Sequence, residues 1–153
     1  MTGRRLSRAD IEELLPHRGD ALFLSAAEVD GLRVSGEAVW AADHPHIKGH
    51  FPGLPLVPGI FLIEAAAQLA GVALAAQKRT PDERRFGVLA GVRKALFHRP
   101  VRPGEPIRFE LALFSPVGSL LRASGLGRDA RGRKAATLEL AIGLVERSAL
   151  TAG

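Results

Sequence analysis

The 153-residue sequence contains neither cysteine nor tyrosine. Without cysteine, the chain can form no disulfide, no thiolate nucleophile and no cysteine-ligated zinc or iron–sulfur site. Without tyrosine, no phenol can act as a proton donor. Only seven Phe and one Trp supply aromatic surface, so few platforms exist on which nucleobases could stack.

Positive charge is in modest excess, since 21 Lys and Arg stand against 16 Asp and Glu and give a net charge of +5. A basic balance favours acidic partners such as nucleic acid, anionic lipid or an acidic carrier protein. The basic residues are dispersed along the chain rather than gathered into one patch. We therefore expect no nucleic-acid partner and favour an acidic protein.

Long hydrophobic runs are scarce, and the most apolar one, residues 60–76, contains Glu64 and Gln68. Such a segment is a poor membrane span and a good buried helix. After Arg4 and Arg5, charged residues stand where a signal peptide needs an apolar region. We expect a cytoplasmic protein with no membrane partner.

Local patterns predict the order of the elements. Ser7 and Asp10 have the spacing of a capping box, which predicts a short helix that Pro16 ends. Strands are predicted at 21–29 and 33–40 around the turn Asp30-Gly31. A Pro- and Gly-rich loop, 43–58, leads into an apolar helix at 59–78. Further strands are predicted at 86–92, 95–97, 107–113, 119–126 and 138–144.

These strands lack helical crossovers, so a parallel sheet is not expected. The predicted fold class is α+β, with a curved antiparallel sheet around one long central helix. No linker or change of composition divides the chain. We expect one domain over residues 1–153, with loose termini at 1–6 and 147–153.

The apolar helix carries a candidate acid. Burial disfavours an ionised carboxylate, so the pKa of Glu64 is expected to rise and its protonated form to persist. A carboxyl group that is neutral near pH 7 can act as a general acid. Gln68 lies on the same helix face and could hydrogen-bond Glu64 or a substrate. The structural alternative is a carboxylate paired with a buried Arg such as Arg93.

His50 and Gly59 complete a candidate site. His50 lies in a loop stiffened by prolines, where a neutral imidazole can act as a base. Taken alone, a histidine in a loop is usually a polar surface residue. Pro58 and Gly59 start the helix, and the unpaired N–H of Gly59 could polarise a carbonyl oxygen. Taken by itself, this pair is more typical of an ordinary helix start.

Together the three residues supply a base, an acid and an oxyanion donor. Elimination of water from a 3-hydroxyacyl thioester needs this set and no cofactor. His50 would take the C2 proton, Gly59 would stabilise the enolate, and Glu64 would protonate the departing hydroxyl. A zinc site from Asp43, His44, His46 and His50 is the alternative for this loop, and we expect no metal.

The segment from Gly49 to Gln68 resembles the FabZ-type 3-hydroxyacyl-ACP dehydratases, whose core reads G-H-F-P-G-x-P-x-x-P-G before an apolar helix with Glu. Two other stretches, 15–18 and 91–105, are also similar to that family. The resemblance implies a hotdog fold and a homodimer in which His50 of one subunit meets Glu64 of the other. Trimers of such dimers occur in the family. Glu64, where the FabA branch has Asp, favours the FabZ side.

The resemblance also implies further site residues. An acyl carrier protein (ACP) would dock on basic surface near the tunnel mouth, for which we select Arg93, Lys94, Arg99 and Arg102. Phe51, Pro58 and Gln68 would contact substrate. Val88 and Leu89 stand where the family has an aromatic residue lining the acyl tunnel.

Where the family continues with Tyr-Pro-Phe after 15–18, this chain has Gly19-Asp20-Ala21. These departures suit a polyketide or other specialised acyl pathway as well as fatty-acid synthesis. Two alternatives are a hotdog thioesterase and a non-catalytic or partner-requiring hotdog subunit.

Overall fold

A computed structural model describes residues 3–77 and 85–152 of the chain. Its seven strands form one sheet in the order β1-β2-β3-β5-β6-β7-β4. Every neighbouring pair in this sheet is antiparallel, as predicted. The strands are β1 (Arg4–Ser7), β2 (Leu24–Asp30), β3 (Arg33–Ala38), β4 (Arg85–Phe97), β5 (Ile107–Leu113), β6 (Leu120–Arg128) and β7 (Lys134–Glu146).

One long helix, α3 (Gly59–Ala76), packs against β2, β3, β4, β5 and β7. It is apolar almost all round and has nine buried residues, because strands cover it on several sides. By length and composition this helix could also cross a membrane, but half of it is buried inside the protein. The predicted start at Gly59 is confirmed; the predicted end, Lys78, lies outside the described residues.

The core fills the space between α3 and the sheet. Along β5, buried and exposed residues alternate strictly, because successive side chains of a strand point to opposite faces. The alternating residues Leu138, Leu140 and Ile142 of β7 are likewise buried. Period-two patterning thus located these strands correctly.

The short helices frame the site. Helix α1 (Arg8–Leu14) begins with the predicted capping box: Ser7 Oγ accepts the Asp10 N–H, and the Asp10 carboxylate accepts the Ser7 N–H. A 3-10 turn covers Gly19–Ala21, and two further helices, α2 (Pro45–Lys48) and α4 (Arg147–Thr151), were not predicted. The expectation of a loose terminus at 147–153 was therefore wrong for 147–151. Both helices have only one turn or little more, too short for a periodic signal.

Two expectations for the sheet were wrong. Residues 4–6 are not a loose terminus, because β1 pairs with β2. The predicted strands 86–92 and 95–97 are one strand, β4, whose pairing with β7 shifts register between Leu89 and Gly91 and again between Val92 and Lys94. Such irregularities interrupt the alternation that sequence patterns rely on.

Candidate active site

The loop before α3 holds His50 by main-chain bonds. The His50 N–H donates to the Ile47 carbonyl of α2 at 3.0 Å, and the His50 carbonyl accepts the Leu56 N–H at 2.8 Å. Between them, Phe51 and Leu54 exchange two backbone hydrogen bonds. Gly53 has a φ of 75°, which only glycine adopts readily. The loop therefore closes on itself and fixes the position of His50.

The ring of His50 has a defined orientation. Its Nδ1 lies 3.2 Å from the Leu56 carbonyl oxygen, and its plane stacks on Phe51 with ring centroids 4.3 Å apart. Since a carbonyl can only accept a hydrogen bond, Nδ1 carries the hydrogen. Nε2 is then the unprotonated nitrogen and the one able to act as a base.

The first turn of α3 presents the candidate oxyanion donor. Pro58 precedes the helix and Gly59 is its first residue, whose N–H has no partner within an α-helix. The Val57 N–H donates to the Val101 carbonyl at 2.9 Å, which ties the helix start to the segment after β4. A Cβ on Gly59 would lie 2.8 Å from the Phe97 ring, so only glycine fits under this ring without displacing it.

Glu64 lies between two hydrogen-bonding side chains. Gln68 Nε2 donates to Glu64 Oε1 at 3.0 Å, and His17 Nε2 lies 3.4 Å from the same oxygen. Arg93 is exposed and makes no ion pair with Glu64, so the structural alternative with Arg93 is not the one observed.

The predicted direction of the Glu64 pKa was wrong for the single protomer. The hydrogen bond from His17 lowers the pKa of Glu64, burial raises it, and the Gln68 bond lowers it again; the net direction is downward. The Glu64 side chain is still 38% exposed, so desolvation is only partial and the hydrogen bonds prevail.

Gln68 is buried and fully engaged. Its Oε1 accepts the Phe23 N–H at 2.9 Å, and its Nε2 donates to the Ala21 carbonyl at 2.7 Å as well as to Glu64. It therefore binds α3 to the segment before β2 and holds Glu64 at the same time. The prediction that Gln68 could bond Glu64 is confirmed, whereas its contact with substrate remains a prediction.

Phe61, on the first turn of α3, packs in an aromatic cluster with Phe23, Trp40, His44 and His46. Two of the three histidines of the alternative zinc site, His44 and His46, thus lie beside the Phe61 ring. Within residues 3–77 and 85–152, no three or more His, Asp or Glu side chains are grouped to hold a metal ion.

The four basic residues selected for docking fall into two groups. The Arg99 guanidinium is bound internally, by Glu105 and by Asp129 at 2.8 Å, and its side chain is only 19% exposed. It is therefore a poor docking residue. Arg93, Lys94 and Arg102 are exposed.

Within the protomer the candidate base and acid do not meet. No hydrogen bond or ion pair joins His50 to Glu64 in the part of the chain that the structure describes. Val88 is half-buried and Leu89 exposed on β4, a strand at the edge of the sheet. Both predicted tunnel residues therefore lie at an edge of the described sheet.

Sequence reasoning missed two residues near the site. Phe97 covers Gly59, and His17 contacts Glu64. Both lie in the stretches that carried the family resemblance, 91–105 and 15–18. That resemblance was the available signal, but it assigned them no role.

Comparison with known proteins identifies the fold and the broad family of this chain. The family model of the FabA-like domain matches residues 25–120. Among solved structures, the dehydratase heterocomplex ApeI:P from Xenorhabdus doucetiae superposes with a TM-score of 0.76 at 20% identity, covering 92% of this chain and 94% of that one. Cj0977, a sigma28-regulated virulence protein from Campylobacter jejuni, superposes with a TM-score of 0.63 at 15% identity, covering 88% and 87%. The fold is the hotdog fold, as predicted.

Curated relatives narrow the class. The 3-hydroxyacyl-[acyl-carrier-protein] dehydratase FabZ of Natranaerobius thermophilus is 36% identical over 118 residues, which cover 76% of this chain and 82% of the relative. FabZ of Caldanaerobacter subterraneus subsp. tengcongensis is 32% identical over 143 residues, covering 92% and 99%. The chain belongs to the FabZ family of dehydratases, and its enzyme class is that of a hydro-lyase.

Proposed function

We propose that this chain removes water from a (3R)-3-hydroxyacyl thioester carried on ACP and forms the trans-2-enoyl thioester. The observation that carries the proposal is the placement of Gly59 and Glu64 on one helix. Gly59 is the first residue of that helix, and Glu64 follows five positions later. The Glu64 carboxyl is held by Gln68 and is still 38% exposed, so a substrate hydroxyl can reach it.

The proposed reaction uses three groups of the chain. His50 Nε2 takes the proton from C2 as the C2–C3 double bond forms. The Gly59 N–H and the helix dipole stabilise the negative charge that develops on the thioester oxygen. The C3–O bond breaks as Glu64 delivers a proton, and the hydroxyl leaves as water. The proton on His50 then returns to Glu64 through solvent, which restores the enzyme.

The acid role requires a proton on Glu64, although its pKa is lowered in the protomer. In the proposed dimer a second subunit and the acyl chain cover the exposed part of its side chain. The added burial raises the pKa of the carboxyl group. Assembly and substrate binding would thus bring Glu64 towards the protonated form that the reaction needs.

We also propose a homodimer with shared active sites, in which His50 of one chain and Glu64 of the other act on the same substrate. Support comes from β4, which is thirteen residues long and has no neighbour on its outer side within the described sheet. It exposes the apolar side chains Leu89, Val92, Leu96 and Phe97. A long apolar edge strand is a ready surface for pairing with another chain. The further association of three such dimers into a trimer of dimers stays a prediction.

The carrier protein would approach the exposed cations. Arg93, Lys94 and Arg102 remain as the docking residues, and their positive charge complements an acidic partner. Phe51, beside His50, and Val88 and Leu89 of β4 would contact the acyl chain. The site of action would be the cytoplasm, with this carrier protein as the partner.

The test is intact-mass spectrometry of 3-hydroxyacyl-ACPs of several chain lengths, incubated with the purified protein and with His50→Ala. We expect loss of one water with the wild-type protein alone, since one acid–base group typically contributes ~10²–10⁴-fold. The chain-length profile would then distinguish fatty-acid from polyketide-type substrates.

Other products identify the alternatives. Loss of the whole acyl mass would indicate a thioesterase. No conversion at any length by a folded protein would indicate a non-catalytic or partner-requiring subunit. An active His50→Ala protein would refute the proposed base.

A further inference from the structure

The loop between α1 and the 3-10 turn brings an unassigned histidine to the acid. His17 Nε2 lies 3.4 Å from Glu64 Oε1. This is slightly longer than a typical N–H···O bond, and bonds of this kind are often long in unliganded enzymes and tighten with substrate. The mechanism proposed above gives His17 no task.

The loop that carries His17 is held on both sides. Arg18 Nη1 donates to the carbonyls of Leu15 at 2.7 Å and of His17 itself at 2.6 Å. Leu15 is buried and packs on α3, where a Cβ at Gly71 would lie 3.2 Å from it. Seven residues separate Gly71 from Glu64, so both lie on one face of α3. The imidazole is thus presented to Glu64 by a fixed backbone.

The orientation of the ring follows from its other nitrogen. His17 Nδ1 is buried and has no hydrogen-bond partner among residues 3–77 and 85–152. A hydrogen on Nδ1 would therefore be a buried, unpaired donor, which is costly. The hydrogen of the neutral ring is therefore placed on Nε2, the nitrogen that lies 3.4 Å from Glu64 Oε1.

Both donors reach the same oxygen. Gln68 and His17 approach Oε1 of Glu64, and no described side chain donates to Oε2. We propose that His17 is a positioning residue for the acid: with Gln68 it holds Oε1, and Oε2 is the oxygen that carries the proton to the departing hydroxyl. This inference rests on the proposed function for the identity of that hydroxyl.

Few other charged side chains lie near His17 and Glu64 among the described residues. From the loop, the Arg18 guanidinium is turned onto two backbone carbonyls. From the 3-10 turn, Asp20 is exposed. On α1, Arg8 and Glu12 pair with one another, and among the described residues only His17 lies within ion-pair distance of Glu64. The ionisation of Glu64 should therefore report on His17.

The experiment measures the pKa of Glu64 directly, by carbon-13 NMR of the labelled glutamate carboxyls, with Glu64→Gln to assign the signal. In His17→Leu the donor is lost and the carboxylate is less stabilised, so the pKa of Glu64 should rise. His17→Gln keeps a non-titrating N–H donor and should leave the pKa nearer the wild-type value. His98→Leu is the matched control, because His98 bonds Thr137 instead, and it should change nothing.

Turnover gives the second readout. We expect kcat to fall ~10–100-fold in His17→Leu with little change in KM, as for a misplaced catalytic group, and to recover partly in His17→Gln. The alkaline limb of the pH profile should move to higher pH in His17→Leu, because Glu64 would keep its proton longer. An unchanged pKa of Glu64 in a folded His17→Leu protein would overturn the inference. This NMR result does not depend on activity, so it separates failure of the inference from failure of the proposed function.

Discussion

At the scale of single residues, Gln68 has the most demanding position. It is 2% exposed and makes three hydrogen bonds, one to the candidate acid and two to the backbone before β2. Removing one partner of a buried hydrogen bond leaves the other unsatisfied, which is more costly than the bond itself is worth. Gln68 therefore couples the stability of the fold to the geometry of the site.

Replacing Gln68 with Leu should lower the free energy of unfolding by about 2–4 kcal/mol, because the Phe23 N–H and the Ala21 carbonyl lose their partner. Urea denaturation measures this loss. Gln77→Leu is the matched control at the end of the same helix: Gln77 is exposed and makes one bond, to the Gly31 carbonyl, so less than about 0.5 kcal/mol should be lost. Equal losses in the two variants would contradict the role of Gln68.

The residue scale also shows what sequence reasoning can miss. The apolar run around Glu64 correctly predicted burial of the helix, but not the direction of the Glu64 pKa. That direction depends on His17, which lies 47 residues away in the chain and is brought within 3.4 Å by the fold. A helical pattern reports neighbours within the helix and nothing about donors from other segments.

At the scale of elements, a charged cluster joins three segments beside the start of α3. Arg99 follows β4, Asp129 begins the turn between β6 and β7, and Glu105 precedes β5. Arg99 Nη2 contacts both carboxylates, and Asp129 also accepts from the Arg133 side chain. Because Val101, in the same segment, bonds Val57, the cluster supports the position of Gly59.

The cluster predicts a dependence of stability on pH. The hydrogen bond from Arg99 lowers the pKa of Glu105 against the effect of burial. Burial raises the pKa of Asp129, but bonds from Arg133 and Arg131 outweigh it and the net direction is downward. Both groups therefore stabilise the fold above their unfolded pKa of about 4 and lose that contribution as the pH falls through the folded values.

Asp129→Asn should accordingly be less stable than the wild type at pH 7, and its free energy of unfolding should fall less steeply between pH 5 and about pH 3. Urea denaturation across this range measures both effects. Asp30→Asn, at the exposed end of β2, is the control and should follow the wild-type curve. If the Asp129→Asn curve also ran parallel to the wild type, the cluster would contribute nothing to acid stability.

At the scale of the whole molecule, the edge strand β4 is the feature that bears on the proposed dimer. The described sheet ends at this strand, which exposes several apolar side chains. Covering that strand with a second copy would bury hydrophobic surface. In the dimer proposed above, His50 of one chain would share a site with Glu64 of the other.

Shared sites predict complementation between two inactive variants. A heterodimer of one His50→Ala chain and one Glu64→Gln chain, purified through two different tags, contains one intact site of two, so about half of the wild-type activity per dimer is expected. Each homodimer should be inactive in the same assay. A heterodimer as inactive as its parents would show that base and acid belong to one chain.

The sequence alone determined most of the architecture of this protein. Period-two alternation located β5 and β7, because burial on one face of a strand leaves alternating apolar residues. The continuous apolar run located α3, because a helix enclosed on most sides is apolar almost all round. The capping box of α1 and the start of α3 were also local signals. The candidate groups His50, Gly59 and Glu64 could be selected because each stands in a short segment whose chemistry is local.

Only the tertiary structure decided which side chains surround those groups. It placed His17 beside Glu64, Phe97 over Gly59 and Arg99 between two carboxylates. It also merged two predicted strands into β4 and left that strand at the edge of the sheet. These features join residues distant in the chain, and pattern and propensity are properties of neighbouring residues. Contacts across the fold, which set pKa values and interfaces, arise only when the elements pack.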